Sequence, residues 1–240
     1  MSTAQACCNV PPIEVDYAPK GTYITVQGMK TYKTGPSDAS TAILIIGDIY
    51  GGGTQVLQGA DILAYGGHSS HQYTVYYPDF LRGQYAQHEW FTSNTSENQM
   101  RMGDYFQGPA NPGKALEAIP GAIKEIEDDH GGTIKKWAVA TIAAGTSTAF
   151  AAVVSAHPAM VDPKDASSIS VPFALLLSKD ENADACNGFV AGLKGDKYVE
   201  KFDDMPHGWM AARGDLDDAN VKEQYKRGYE ATLEFFHKYL

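Results

Sequence analysis

Two side chains far apart in the chain have the types and the order that proton transfer needs. Asp180 closes the run Leu175-Leu176-Leu177-Ser178-Lys179-Asp180, and His207 sits in Met205-Pro206-His207-Gly208-Trp209, just past the next strand-like segment. A carboxylate that orients an imidazole, which in turn takes a proton from a nucleophile, requires one residue at each of three converging loop ends. The third loop end lies upstream of both, follows Trp137-Ala138-Val139-Ala140-Thr141-Ile142, and carries Ala143. A methyl group cannot attack a carbonyl, so acid–base equipment stands beside a nucleophile position that holds no attacking atom. Taken singly, Asp180 reads as a loop or cap residue and His207 as a turn histidine. Their joint order is what favours chemistry.

These positions need strands to bring them together. Ala42-Ile43-Leu44-Ile45-Ile46 is a continuous apolar run ending at Gly47, the pattern of a strand covered on both faces. Comparable runs occur at 73–77, 137–142, 152–156, 173–177 and 198–202, and an N-terminal hairpin is expected from 22–26 and 31–33 around Gly28. Helical patterns separate the runs at 56–65, 97–106, 114–129, 183–193 and 220–240. Alternation of this kind predicts an α/β fold with a mostly parallel sheet flanked by helices, the hairpin at its edge, and ligands at the carboxyl ends of the strands.

Several stretches carry a more specific signal: Cys7-Cys8-Asn9-Val10-Pro11-Pro12, Gln58-Gly59-Ala60-Asp61-Ile62-Leu63-Ala64, Tyr77-Pro78-Asp79-Phe80, His157-Pro158-Ala159-Met160-Val161-Asp162 and His207-Gly208-Trp209-Met210-Ala211-Ala212-Arg213. In these the sequence resembles the dienelactone hydrolase family, in its eukaryotic branch, over nearly the whole chain. The resemblance implies one α/β-hydrolase domain over 1–240 and a Cys-His-Asp triad that opens a small lactone or similar activated ester. Asp180 and His207 match the acid and the histidine. Asp48 matches the carboxylate that modulates the nucleophile, Arg82 lies near the substrate-carboxylate site, and the backbone N–H groups near Ile49 and Ala144 fall where the family stabilises an oxyanion.

The departure is at the nucleophile turn, where the family's glycine-x-cysteine-x-glycine becomes Thr141-Ile142-Ala143-Ala144-Gly145. The segment from Ala143 to His157-Pro158 is also several residues shorter than the family's. One reading is a repurposed enzyme in which His207, oriented by Asp180, catalyses elimination, isomerisation or cyclisation of a carbonyl, lactone or polyketide-like substrate. A second keeps ester or lactone hydrolysis, with Ser147 of Gly145-Thr146-Ser147-Thr148-Ala149 as nucleophile, although serine and threonine at a helix start also serve as caps. In a third, Ala143 stands in by substitution for a native cysteine or serine. A fourth is a non-catalytic small-molecule binding protein.

Other features point away from competing functions. Gly51-Gly52-Gly53 fits neither dinucleotide nor Walker spacing, and reads as a loop above the pocket. His68 and His71 lack a third ligand, so neither a metal nor another cofactor is expected. Trp90, with Tyr85 and Phe91, could line the pocket mouth, and Trp209 could wall the imidazole. A net charge of -10 opposes nucleic acid. No apolar run is long enough to cross a membrane, and the N-terminus lacks a signal-peptide pattern, so a cytoplasmic protein is expected. Three cysteines, Cys7, Cys8 and Cys186, form no disulfide framework. The expected partner is a small-molecule substrate, with a homodimer left open.

Overall fold

A computed structural model describes residues 13–67, 72–140 and 149–240 in full and the backbone of 141–143. Among these described residues, eight strands form one sheet in the order β1-β2-β4-β3-β5-β6-β7-β8. They are β1 (Thr22–Val26), β2 (Met29–Thr34), β3 (Thr41–Ile46), β4 (Thr74–Pro78), β5 (Lys136–Ala143), β6 (Ala152–Ala159), β7 (Phe173–Leu177) and β8 (Lys197–Lys201). The β1–β2 hairpin is antiparallel and joins β4 antiparallel, and every pairing from β4 through β8 is parallel. The described helices are α1 (Thr54–Tyr65), α2 (Glu89–Thr92), α3 (Ser96–Gln107), α4 (Pro112–Asp129), α5 (Ala183–Gly192) and α6 (Ala219–Tyr239), with a 3-10 turn at Pro163–Ser168.

The period-2 alternation of the central strands sorts their side chains into two cores. Ile43, Ile45, Ala138, Ala174 and Leu176 pack on one face with residues of α1 and α6 such as Leu63, Tyr225 and Phe236. Ala42, Leu44, Trp137, Val139 and Phe173 pack on the other with Ile119, Ile123 and Ile126 of α4 and Phe189 of α5. Both faces are therefore covered by helices, which is why these strands read as unbroken apolar runs.

A buried carboxylate fastens the N-terminal lead to this frame. Asp61 of α1, 1% exposed, accepts hydrogen bonds from the Tyr17 hydroxyl (2.7 Å), the Lys20 amide (2.9 Å), the Tyr32 hydroxyl (2.8 Å) and the Thr34 hydroxyl (2.6 Å). Further along the lead, the Ile13 amide donates to the Ala212 carbonyl at 2.7 Å, and the Gln55 side-chain amide donates to the carbonyls of Ile13 (2.7 Å) and Gly214 (3.0 Å).

One irregularity bears on the site. Thr141 of β5 pairs with Ser155 of β6, but Ala143 pairs with Ala159, so residues 156–158 oppose Ile142 alone. The bulge bends β6 where it passes the end of β5. His157 and Met160 take positive φ there, +36° and +54°.

Candidate active site

His207 lies in the turn after β8, 5% exposed. The loop after β7 holds it from two sides. Asp180 accepts the backbone N–H of His207 at 2.8 Å, while the ring Nδ1 contacts Glu181 Oε1 at 2.9 Å. Glu181 is folded back by Ser178, whose hydroxyl donates to Oε1 at 2.8 Å and whose amide also donates to its carboxylate. Its side chain is only 3% exposed. The expectation that Asp180 orients the imidazole is thus corrected to Glu181. Neighbouring residues in a tight loop project in different directions, and the longer side chain reaches the ring while the shorter one reaches the main chain. A carboxylate at Nδ1 places the ring proton there and the lone pair on Nε2, the arrangement of a general base.

A cavity of about 200 Å³ opens beside the ring, lined by His207, Glu181, Asp180, Cys186 and the Pro158–Val161 segment. Ala159 of this wall is the ladder partner of Ala143, so the end of β5 runs alongside it. Ala144 and Ser147 lie outside the described residues, as do His68 and His71. Among the described residues no group of three or more His, Cys, Asp or Glu could hold a metal ion, and no helix is long and apolar enough to cross a membrane.

Asp48, after β3, is knit into the same corner. Its carboxylate accepts from the Tyr50 amide at 2.8 Å and the Ala212 amide at 3.3 Å. Burial pushes its carboxyl above the usual range, opposed by these two amides and by the charges of Arg213 and His207. Next to it, the Ile49 carbonyl accepts from the Ala86 amide and the Tyr105 hydroxyl, both at 2.9 Å, which fixes the turn. The Ile49 N–H takes no partner among the described residues. Gly47 permits the close approach of Tyr77, whose ring and hydroxyl fill the space a Cβ at that position would need. Arg213, 4% exposed, donates to the His207 carbonyl at 3.3 Å and to the Tyr50 hydroxyl at 3.0 Å, with its guanidinium 5.0 Å from the Tyr50 ring centre. In the sequence Arg213 stood out only as the end of the stretch that begins at His207.

Other expected site residues fall elsewhere. Trp209 is 0% exposed and packs on Phe202 with ring centroids 4.4 Å apart, so it belongs to the core and not to a pocket wall. Gly208, at φ +90°, makes the turn between His207 and Trp209. Arg82 is exposed and donates to the Gln27 carbonyl at 3.1 Å on the hairpin turn. It lines a separate cavity with Met29, Phe80 and Lys114 and does not reach the one beside His207. Trp90 packs edge-on at 5.4 Å against Tyr105, whose hydroxyl bonds the Ile49 carbonyl, and among the described residues it is not part of the wall of the cavity beside His207. Burial pushes the Cys186 thiol up to about 11, so it is held in its neutral form.

Comparison with known proteins bears on this architecture. No family model matches the sequence. Two AIM2 family proteins of Schizosaccharomyces pombe, both described as uncharacterized, are 29% identical to it, one over 96% of this chain and 98% of its own length, the other over 87% of each. A dienelactone hydrolase from Anabaena variabilis is similar in structure with a TM-score of 0.61 and 12% identity, over 93% of this chain and 98% of that one. An esterase from Pyrococcus furiosus gives 0.58 and 11%, over 96% and 99%. Est1E from Butyrivibrio proteoclasticus, solved with ferulic acid bound, gives 0.57 and 11%, over 90% and 99%. At such identities the likeness concerns the fold. Together with the strand order and the flanking helices, it shows that this chain has the α/β-hydrolase fold.

Proposed function

We propose that the protein is a dienelactone hydrolase-like enzyme that acts on a small carbonyl, lactone or polyketide-like substrate by acid–base catalysis at His207. The reaction is an elimination, isomerisation or cyclisation and passes through no covalent acyl intermediate. The observation that carries this reading is the buried His207–Glu181 pair at 2.9 Å beside a cavity of about 200 Å³, on a frame whose nucleophile position is Ala143. In this mechanism Nε2 of His207 removes a proton from the carbon next to the carbonyl, and Glu181 stabilises the imidazolium that forms. In this reading the Ile49 N–H serves as a donor to the enolate oxygen. Asp180 and Arg213 hold the main chain of His207, and Asp48 braces the Ile49 turn.

General acid–base catalysis of this kind contributes about 10²- to 10⁴-fold, which suffices for a substrate whose α-proton is already activated. The test measures conversion of small activated lactones and 1,3-dicarbonyl compounds alongside turnover of p-nitrophenyl acetate. We expect conversion that His207→Asn abolishes and ester turnover near background. If p-nitrophenyl acetate is hydrolysed and Ser147→Ala removes that activity, the protein is a serine esterase and the proposal fails. Tight ligand binding with no conversion would make it a binding protein.

A further inference from the structure

His157 has no part in the mechanism above, yet it is one of the least ordinary residues in the molecule. It is 0% exposed, and neither ring nitrogen has a hydrogen-bond partner among the described residues. A neutral imidazole carries one N–H donor and one acceptor, and leaving such groups unpaired in the interior costs about 1–3 kcal/mol. The residue also sits at φ +36° in the β6 bulge, a conformation that persists only where its surroundings enforce it. Its ring meets that of His207 edge to face, with centroids 5.1 Å apart and planes at 70°. Behind it is a small cavity of about 40 Å³ with walls that include Ile45, Val154, Met210 and Tyr229. The His207 ring is therefore enclosed by Glu181 on one side and His157 on another.

The geometry points to His157 as the positioning residue for His207: a buried ring, packed edge to face, that walls the His207 imidazole against Glu181. Two imidazoles this close cannot both be charged in a poorly solvated corner. Burial, reinforced by the charges of His207 and Arg213, holds His157 well below the usual histidine range. The ionisable and charged groups around the pair are Glu181 and Asp180 from the β7–α5 loop, Asp48 after β3, and Arg213 beyond His207. On this account the shape and neutrality of the His157 ring are what count, and its nitrogens take no part.

The functional weight of this inference rests on His207 being the catalytic base, but its test does not. Imidazole resonances of His157 and His207 are followed by NMR against pH in the wild type, His157→Phe and His157→Met, with His207→Asn for assignment. His157→Phe is expected to leave the His207 midpoint within about 0.3 of the wild-type value, and His157→Met to lower it by about one unit as the ring loosens from Glu181. Conversion of substrate should follow the same order, with Phe near wild type and Met reduced about tenfold or more. An unchanged midpoint in His157→Met, a shift in His157→Phe as large as in the Met variant, or titration of His157 itself between pH 5 and 8 would each overturn the inference. If the Met variant does not fold, the Phe variant and the wild-type titration still decide it. Loss of the proposed activity altogether, with these titrations as expected, would remove the catalytic reading and leave the positioning intact.

Discussion

Two buried carboxylate clusters stand within the same fold and are built to opposite plans. Around Asp61, four donors converge on two oxygens, so every polar group brought in from water has a partner. Burial, helped by the bond to Asp61, pushes the Tyr32 hydroxyl up to about 12. Around His207, Glu181 pairs with a titratable ring, His157 has two nitrogens without partners among the described residues, and β6 is strained where it passes. A saturated network fixes structure, whereas a titratable ring held against a carboxylate can take up and give back a proton.

The comparison can be broken by exchanging the symptoms. Glu181→Gln should lower the rate about 10²- to 10⁴-fold, because an amide at Nδ1 favours the wrong ring tautomer, while stability by urea titration changes little. Asp61→Ala should do the reverse, costing about 3 kcal/mol or more in the urea titration by stranding two tyrosine hydroxyls, a threonine hydroxyl and an amide, with turnover per folded molecule kept. If the two variants showed the same balance of lost rate and lost stability, the distinction between the clusters would be wrong. Asp180→Asn should cost about tenfold or less, since an amide oxygen still accepts the His207 main-chain N–H, and kcat measurements would rank it below Glu181→Gln.

The smallest effect is in pH. A histidine whose folded pKa is depressed leaves the unfolded chain binding more protons, so its contribution is intact above the unfolded value near 6.5 and is lost as pH falls below it. His157 and His130 are both lowered, chiefly by burial. The raised Asp48 has the opposite sign and weakens folding as pH rises from the ordinary aspartate value toward its own. Urea midpoints should therefore decline below about pH 6.5, with a slope of up to about 1.4 kcal/mol per pH unit for each histidine. His157→Phe should flatten that slope. An unchanged slope would mean that the buried ring accepts a proton after all.

Much of the frame was legible in the sequence, because apolar runs of strand length bounded by Gly and Pro have few other uses. β3, β5, β7 and α4 lie within two residues of where periodicity puts them. The site was legible only to the level of its loops. Asp180 and Glu181 are adjacent, and which of them faces the ring depends on how Ser178 folds the turn, a matter of loop dihedrals that no spacing reveals. Trp209 and Arg82 failed for the same reason: proximity along the chain to a functional loop does not determine which way a side chain points. His157 carried a signal in the His157-Pro158 pair, but a histidine at the end of an apolar strand reads equally well as a core residue.

The stitching of the lead onto Ala212 and Gly214 reaches further than anchoring. Those carbonyls flank Arg213, and the Ala212 amide is one of the two that hold Asp48. Protease nicking near residues 13–20, or a tag that tugs on them, would act directly on the corner that holds Arg213 and Asp48, so an assay of the proposed activity doubles as a report on whether that segment is docked.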